Sequence, residues 1–92
     1  MTRLDFKTAV LINKELEHIP LEYQTPYNSL HEGYGVLAEE FEELKDEIFY
    51  GKKKAIAEYN DTDIGTQHWK LRVKNEAIQV AAVAIRIIQE LT

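Results

Sequence analysis

The chain has 92 residues, which is typical of one small domain, and we assign residues 1–92 to it. Its net charge of −5 argues against a nucleic-acid polymer as the partner, because phosphate contacts require a basic face. It contains no cysteine, which excludes disulfides and thiolate metal sites. Its start does not resemble a signal sequence and no apolar run is long enough to cross a bilayer, so we expect a cytoplasmic protein without membrane association.

The first predicted helix spans Leu4–Ile19, where apolar residues recur at mixed helical spacings. Asp5 near its start and Lys14 nearer its end complement the helix dipole. Pro20 ends this helix or lies just beyond it. We predict an extended connection over Leu21–Asn28, because it contains a proline and the residue before a proline avoids the α region.

The second predicted helix spans Ser29–Phe49 and begins with a capping box, in which Ser29 and Glu32 each satisfy a backbone N–H of the first turn. Gly33 and Gly35 disfavour a helix, and we attribute both to the close approach of a neighbouring helix, with a ligand that approaches the backbone as the alternative. Apolar residues recur along this helix at alternating spacings of four and three residues and form one stripe. The residues of this apolar stripe are Leu30, Tyr34, Leu37, Phe41, Leu44 and Ile48.

Gly51 stands where this helix is predicted to end. Lys52–Asn60 favours a helix with few apolar anchors, and Asn60–Gly65 is predicted to be a turn-rich linker. The last helix, from about Gln67 to Leu91, is apolar nearly all round, which indicates burial on several sides. A chain of this length has a marginal core, so a second subunit is expected to cover this helix. We therefore predict an all-α fold, a small antiparallel helical bundle of three to four helices completed by oligomerisation.

Glutamates flank the apolar stripe of the second helix. Glu40, Glu43 and Glu47 lie along one flank, and Glu39 lies further round. Glu40 and Glu43 are three residues apart, so their carboxylates are neighbours and repel each other unless a cation or a base lies between them. Oxygen ligands of this kind suit Mg²⁺ or Mn²⁺. The alternative is that this flank is a solvated acidic face.

One line of polar residues interrupts the apolar last helix, and buried polar groups of this kind need partners. The line consists of Arg72, Asn75, Glu76, Gln79 and Arg86. Glu76 and Gln79 repeat the three-residue spacing of the pair on the second helix. If the two helices pack together, three carboxylates and an amide oxygen converge. The alternative is an ion pair between Arg86 and Glu76, or another pair between helices, without a metal.

The segment Asn28–Leu44 resembles the first metal-binding helix of the MazG-like all-α nucleotide pyrophosphohydrolases, most closely the short members found in phages and prophages. That family's first motif has two adjacent glutamates and a third three residues on, here Glu39, Glu40 and Glu43. Its second motif has a glutamate followed three residues later by an aspartate, and the segment around Glu76 is similar to it. Gln79 stands where the family has the aspartate, and the segment between the motifs is longer than in the family.

The resemblance implies a Mg²⁺- or Mn²⁺-dependent nucleoside triphosphate pyrophosphohydrolase that releases a nucleoside monophosphate and pyrophosphate in a nucleotide-pool or house-cleaning role. It implies four metal ligands, Glu40, Glu43, Glu76 and Gln79. It also implies that Glu39 supports these ligands or binds a second ion, or is the catalytic carboxylate that orients the attacking water. The candidates for binding the phosphates are Arg72, Lys74 and Arg86. It also implies a homodimer or homotetramer. Because an amide replaces one anionic ligand, the alternative is a catalytically degenerate helical module that binds a nucleotide or a protein partner.

Overall fold

The computed structural model describes residues 3–18 and 27–91, which form the helices α1 (Phe6–Glu17), α2 (Leu30–Tyr59) and α3 (Thr62–Glu90). These two ranges contain no strand, so the predicted all-α class is confirmed. Pro20 and most of the predicted extended connection lie outside them. None of the helices in the described ranges is both long enough and apolar enough to cross a membrane.

Side-chain caps fix where α1 and α2 begin. The carboxylate of Asp5 accepts a hydrogen bond from the backbone N–H of Thr8 at 2.7 Å, so α1 begins after Asp5 rather than at Leu4. The hydroxyl of Ser29 accepts from the N–H of Glu32 at 3.1 Å, as the capping box predicts. The carboxylate of Glu32 then accepts from Asn28, whose side-chain amide donates at 2.9 Å.

The prediction that the second helix ends at Gly51 is wrong, because α2 continues to Tyr59. None of the described glycines has a positive φ, so Gly51 has ordinary helical backbone. It is buried, and a Cβ at this position would meet the carboxylate of Glu47 on the same helix and would lie 3.1 Å from Cδ1 of Trp69 on α3. The residues that follow it, Lys52–Ala55, are good helix formers. Gly51 thus marks a close approach of α3 rather than a helix end.

The predicted linker over Asn60–Gly65 is also wrong, since only two residues separate α2 from α3. Asn60 adopts the left-handed conformation with φ of 50°, which asparagine tolerates better than most residues. Asp61 caps α3 by accepting from the N–H of Ile64 at 2.9 Å. A Cβ on Gly65 would lie 2.5 Å from Cα of Ile56, so only glycine allows the helices to approach this closely beside the turn.

α2 and α3 form an antiparallel helical hairpin, and α1 packs against α3. Polar contacts join α2 and α3 in the half of the hairpin that lies next to the turn. The indole N–H of Trp69 donates to the backbone carbonyl of Glu47 at 2.7 Å, and Arg72 donates to the carboxylate of Glu58 at 2.7 Å. These contacts hold the register between the helices, and that register positions the candidate site.

The line of contact between α2 and α3 does not follow the predicted apolar stripe. Leu37 and Leu44 are half-buried, whereas the other four residues of the stripe are exposed. The contact instead runs along the neighbouring face of α2, where Gly33, Gly51 and Ala55 are buried. Small residues allow the helices to approach closely here, so much of the apolar surface of α2 is left outside the hairpin.

Candidate metal centre

The register of the hairpin brings together the glutamates from both predicted motifs. One carboxylate oxygen from each of Glu40, Glu43 and Glu76 lies within 4.8 Å of the other two. We call these three residues the carboxylate cluster. Glu40 and Glu43 project from one face of α2 because they are three residues apart. Glu76 reaches them from α3 because the helices are antiparallel.

The amide of Gln79 lies beside the carboxylate cluster. With its nitrogen toward the cluster, it donates to Oε2 of Glu40 at 2.9 Å and to Oε2 of Glu76 at 3.3 Å. With its oxygen toward the cluster, four oxygen atoms face one another, and this arrangement is unfavourable unless a cation lies among them. The orientation of this amide is therefore coupled to the presence of a cation.

Burial and mutual repulsion disfavour the ionised cluster. Burial raises the pKa of the Glu40 carboxyl, and the negative charges of Glu43, Glu76 and Glu15 of α1 raise it further. Burial also raises the pKa of Glu76, with the charges of Glu43 and Glu47 adding to it. The chain thus holds like charges together at a cost, which a proton or a cation relieves.

A cleft of about 580 Å³ opens next to the cluster, with Glu43 and Glu76 in its wall. The other functional groups of the wall belong to four residues of α2, namely Asp46, Glu47, Tyr50 and Lys54. Among the described residues, Oε1 of Glu47 is buried without a hydrogen-bond partner. Lys54 is the cation that lines this cleft. The cleft therefore offers oxygen ligands at one end and a positive charge in the same space.

The other predicted site residues lie away from this cleft. Glu39 is exposed and outside the carboxylate cluster. Arg72 is bonded to the carboxylate of Glu58, and Lys74 lines a groove at the start of α1. The hydroxyl of Tyr27 accepts from Arg86 at 3.0 Å. The structure brings none of the three predicted phosphate-binding cations into the cleft.

The alternative ion pair between Arg86 and Glu76 does not form. The two residues are ten positions apart on one helix, which separates them by about 15 Å along its axis. Arg86 instead lies 4.0 Å from the carboxylate of Glu90, one turn further along α3. The carboxylate cluster is therefore not neutralised by this arginine.

Sequence reasoning missed four residues of the cleft that carry functional groups, namely Asp46, Glu47, Tyr50 and Lys54. Glu47 was placed on the acidic flank but not among the predicted ligands. Tyr50 and Lys54 follow it at three and seven residues, a spacing that puts all three on one face of a continuous helix. The expected helix end at Gly51 concealed this relation, because it placed Lys54 on a separate segment.

The donor set fits a Mg²⁺ or Mn²⁺ ion chemically. Carboxylate and amide oxygens are the ligands these ions take, and two oxygens bound to one octahedral Mg²⁺ lie about 3 to 4 Å apart. The separation in the cluster, up to 4.8 Å, needs only a small side-chain movement to reach that range. Comparisons of this chain with protein-family models, curated proteins and solved structures give no match.

Proposed function

We propose that this chain is a Mg²⁺- or Mn²⁺-dependent nucleoside triphosphate pyrophosphohydrolase of the MazG-like type. The observation that carries the proposal is the convergence of Glu40, Glu43 and Glu76 from two separate sequence motifs. Three carboxylates held this close repel one another, and a cation bound among them would relieve that repulsion. The adjacent cleft gives a phosphate chain room to reach the cluster.

The residues of the site have distinct roles in this proposal. The three carboxylates and the amide oxygen of Gln79 hold the ion, which neutralises the charge on the phosphate oxygens when it is bound. Lys54 binds phosphate oxygens within the cleft. Water attacks the α-phosphorus, its proton passes to a carboxylate, the bond to the bridging oxygen breaks, and pyrophosphate leaves.

Two carboxylates compete for the role of orienting the water. The sequence motif favours Glu39, which is exposed and outside the cluster. Glu47 lines the cleft and has a buried oxygen without a partner among the described residues. A water-orienting group must reach the space that the substrate occupies, so the position of Glu47 supports this role better.

The test is release of pyrophosphate from a panel of canonical and modified nucleoside triphosphates, with Mg²⁺ or Mn²⁺. We expect turnover that depends on the metal and is lost when Glu40→Gln and Glu43→Gln are combined. Glu42→Gln is the matched control, because Glu42 is exposed and pairs only with Lys45 among the contacts of α2, at 3.7 Å. Absence of turnover by the unmodified chain across the panel contradicts the proposal, as does full turnover by the double variant.

A second candidate function is favoured by Gln79 itself. Its amide nitrogen can donate to Glu40 and Glu76 at the position where a cation would otherwise lie. A site satisfied in this way suits a helical module that binds a nucleotide or a protein partner without hydrolysis. Calorimetry would then show nucleotide binding without product, and Gln79→Asp would create metal-dependent turnover where none existed. Turnover by the unmodified chain excludes this second function.

A further inference from the structure

A groove of about 360 Å³ lies between α1 and α3, beside the carboxylate cluster. Gln79 joins the two, because it lines the groove and its amide lies against Glu40 and Glu76. The described lining of the groove contains no residue of α2, whereas that of the cleft beside Lys54 contains no residue of α1. The groove and the cleft therefore open on different sides of the cluster. We call the former the α1–α3 groove.

A nucleoside triphosphate bound at the cluster has to extend in two directions. In the proposed function, on which this step rests, pyrophosphate leaves the α-phosphorus within the cleft where Lys54 binds phosphate oxygens. The sugar and the base are attached to the same phosphorus through another oxygen, so they extend away from the departing pyrophosphate. The α1–α3 groove offers the space to receive them, and its volume lies within the range of about 300 to 1000 Å³ that is typical of small-molecule sites.

The lining of the α1–α3 groove combines apolar surface with hydrogen-bonding groups. Leu11 of α1 and Ile78 of α3 supply apolar surface that suits the faces of a planar ring. The other described residues of the lining are polar, namely Lys14, Glu15, His18, Asn75 and Gln79. A ligand that fits this lining is therefore a ring with hydrogen-bonding groups along its edges, as a nucleobase is.

Glu15 decides which edge the lining accepts. Its side chain is half-buried and has no hydrogen-bond or ion-pair partner among the described residues. Its charge contributes to the raised pKa of the Glu40 carboxyl, which places Glu15 within electrostatic reach of the cluster. An ionised carboxylate only accepts hydrogen bonds, so the ligand edge that faces it must present donors.

His18 adds a second acceptor to the α1 side of the groove. Its Nδ1 lies 2.6 Å from the backbone carbonyl of Lys14, to which a neutral ring donates from this nitrogen. The other nitrogen, Nε2, is then an acceptor. The α1 side of the groove thus accepts hydrogen bonds, whereas the amide of Asn75 on the α3 side can also donate them.

Guanine is the nucleobase that presents two adjacent donors. Its N1–H and its 2-amino group lie along one edge, so the two oxygens of one carboxylate can accept from both. Adenine has an acceptor at N1 and lacks the 2-amino group, and hypoxanthine has the N1–H alone. Uracil and thymine place carbonyl oxygens on both sides of their N3–H, and a carboxylate repels these oxygens. The other edge of guanine carries the acceptors O6 and N7, to which an amide donates.

We propose that the α1–α3 groove binds the base of a guanine nucleotide and that Glu15 selects this base. The carboxylate of Glu15 accepts from N1–H and from the 2-amino group, and the amide of Asn75 donates to O6 or N7. Leu11 and Ile78 contact the ring. The short helix α1 thereby sets the choice of base, whereas α2 and α3 supply the carboxylate cluster.

Calorimetry of the full chain with non-hydrolysable nucleotides and Mg²⁺ tests this assignment. The nucleotides are analogues of GTP, ITP, XTP and ATP in which a methylene group replaces the oxygen between the α- and β-phosphorus, so that the Kd is measured without turnover. We expect the guanosine analogue to bind at least tenfold more tightly than the inosine and adenosine analogues. Inosine lacks the 2-amino group, and adenine places an acceptor opposite the carboxylate of Glu15.

Glu15→Gln should change the preferred base. The substitution replaces one carboxylate oxygen with an amide NH₂, which opposes the 2-amino group of guanine but donates to the 2-oxo group of xanthine. We expect the Kd of the guanosine analogue to rise at least tenfold and that of the xanthosine analogue to fall at least tenfold. Tighter binding of xanthosine also shows that the variant is folded.

Glu17→Gln is the matched control, because it makes the same change of charge on α1 at an exposed residue outside the groove. It should leave the order of the four affinities unchanged. Equal binding of the guanosine and adenosine analogues overturns the assignment, as does a Glu15→Gln variant with the base preference of Glu17→Gln. Failure of all four analogues to bind overturns it as well.

Turnover of the four natural triphosphates, measured in parallel, distinguishes this assignment from the proposed function. Metal-dependent turnover that does not favour GTP contradicts the role of Glu15 and leaves the pyrophosphohydrolase in place. Guanine-selective binding without any turnover supports the role of Glu15 and contradicts the hydrolysis.

Discussion

Replacing Glu43 with glutamine removes the charge that both other members of the carboxylate cluster face. The charge of Glu43 contributes to the raised pKa of Glu40 and of Glu76. The substitution keeps the size and the helix propensity of the side chain. In the absence of metal at pH 7, we therefore expect Glu43→Gln to stabilise the chain, although it removes a residue from the proposed site.

The size of this effect follows from the separation of the carboxylate oxygens. Two unit charges 4.8 Å apart repel by about 0.9 kcal/mol in water and by about 3.5 kcal/mol at an effective dielectric constant of 20. The cluster borders an open cleft and Glu43 is exposed, so solvent screening favours the lower value. We expect a gain of about 1 kcal/mol, which raises the thermal midpoint by about 4 to 8 °C.

The dependence on pH has a definite sign. Glu40 and Glu76 have raised pKa values in the folded chain, so the folded state binds more protons than the unfolded state above the ordinary value of 4.5. Their contribution to the free energy of unfolding is fully present below that value and is lost as the pH rises through the raised pKa. Glu43→Gln should reduce this loss of stability at higher pH. Its free energy of unfolding should therefore exceed that of the unmodified chain by less as the pH falls toward 4.5.

Thermal unfolding in a metal chelator, repeated from neutral pH to pH 4.5, measures both effects. Glu39→Gln is the matched control, since it makes the same change of charge at an exposed neighbouring position outside the cluster. With saturating Mg²⁺ or Mn²⁺, the unmodified chain should have the higher thermal midpoint of the two, because the ion stabilises it more than it stabilises Glu43→Gln. A lower midpoint of metal-free Glu43→Gln at pH 7, or a shift equal to that of Glu39→Gln, would refute the reasoning.

Four further substitutions test the helices α2 and α3. Gly65→Ala should destabilise the chain by about 1 to 3 kcal/mol in chemical denaturation, because the new Cβ meets the backbone of Ile56. Gly35→Ala should instead stabilise the chain by about 0.5 to 1 kcal/mol, because no atom lies within 4 Å of the new Cβ. Asp61→Ala should lower the free energy of unfolding by about 1 kcal/mol, because it removes the N-terminal cap of α3. If it lowers this free energy no more than an exposed substitution in the middle of a helix does, the assigned cap is wrong. Trp69→Phe should lower the free energy of unfolding by about 1 kcal/mol, because it removes the indole hydrogen bond to the backbone carbonyl of Glu47. Unchanged stability would show that this hydrogen bond contributes nothing.

The sequence predicts the helical class because apolar periodicity and capping are local properties. Ser29 marks the start of α2 through a hydroxyl three residues from the N–H it accepts, and this relation needs no tertiary structure. The three-residue spacing of Glu40 and Glu43 likewise places both on one face of α2. The convergence with Glu76 follows once the two helices pack against each other, and the structure shows that geometry.

Glycines and polar residues are ambiguous in the sequence because their effect depends on what approaches them. Gly51 is typical of a helix end, but the packing of Trp69 against it explains a glycine inside a continuous helix. The polar residues after Tyr59 are typical of a linker, but Asn60 and Asp61 alone complete the turn. The error at Gly51 divided α2 and hid the relation of Lys54 to the cleft.

By itself, the sequence determined the all-α class and the two acidic motifs, because both depend on residues within a few positions of one another. Only the tertiary structure decided which face of each helix is used. The small residues Gly33, Gly51 and Ala55 allow a closer approach than the aromatic stripe does, so α3 packs beside the stripe rather than on it. Because α3 packs on this face of α2, Glu47 and Lys54 lie in the cleft, and Tyr34 and Phe41 remain exposed.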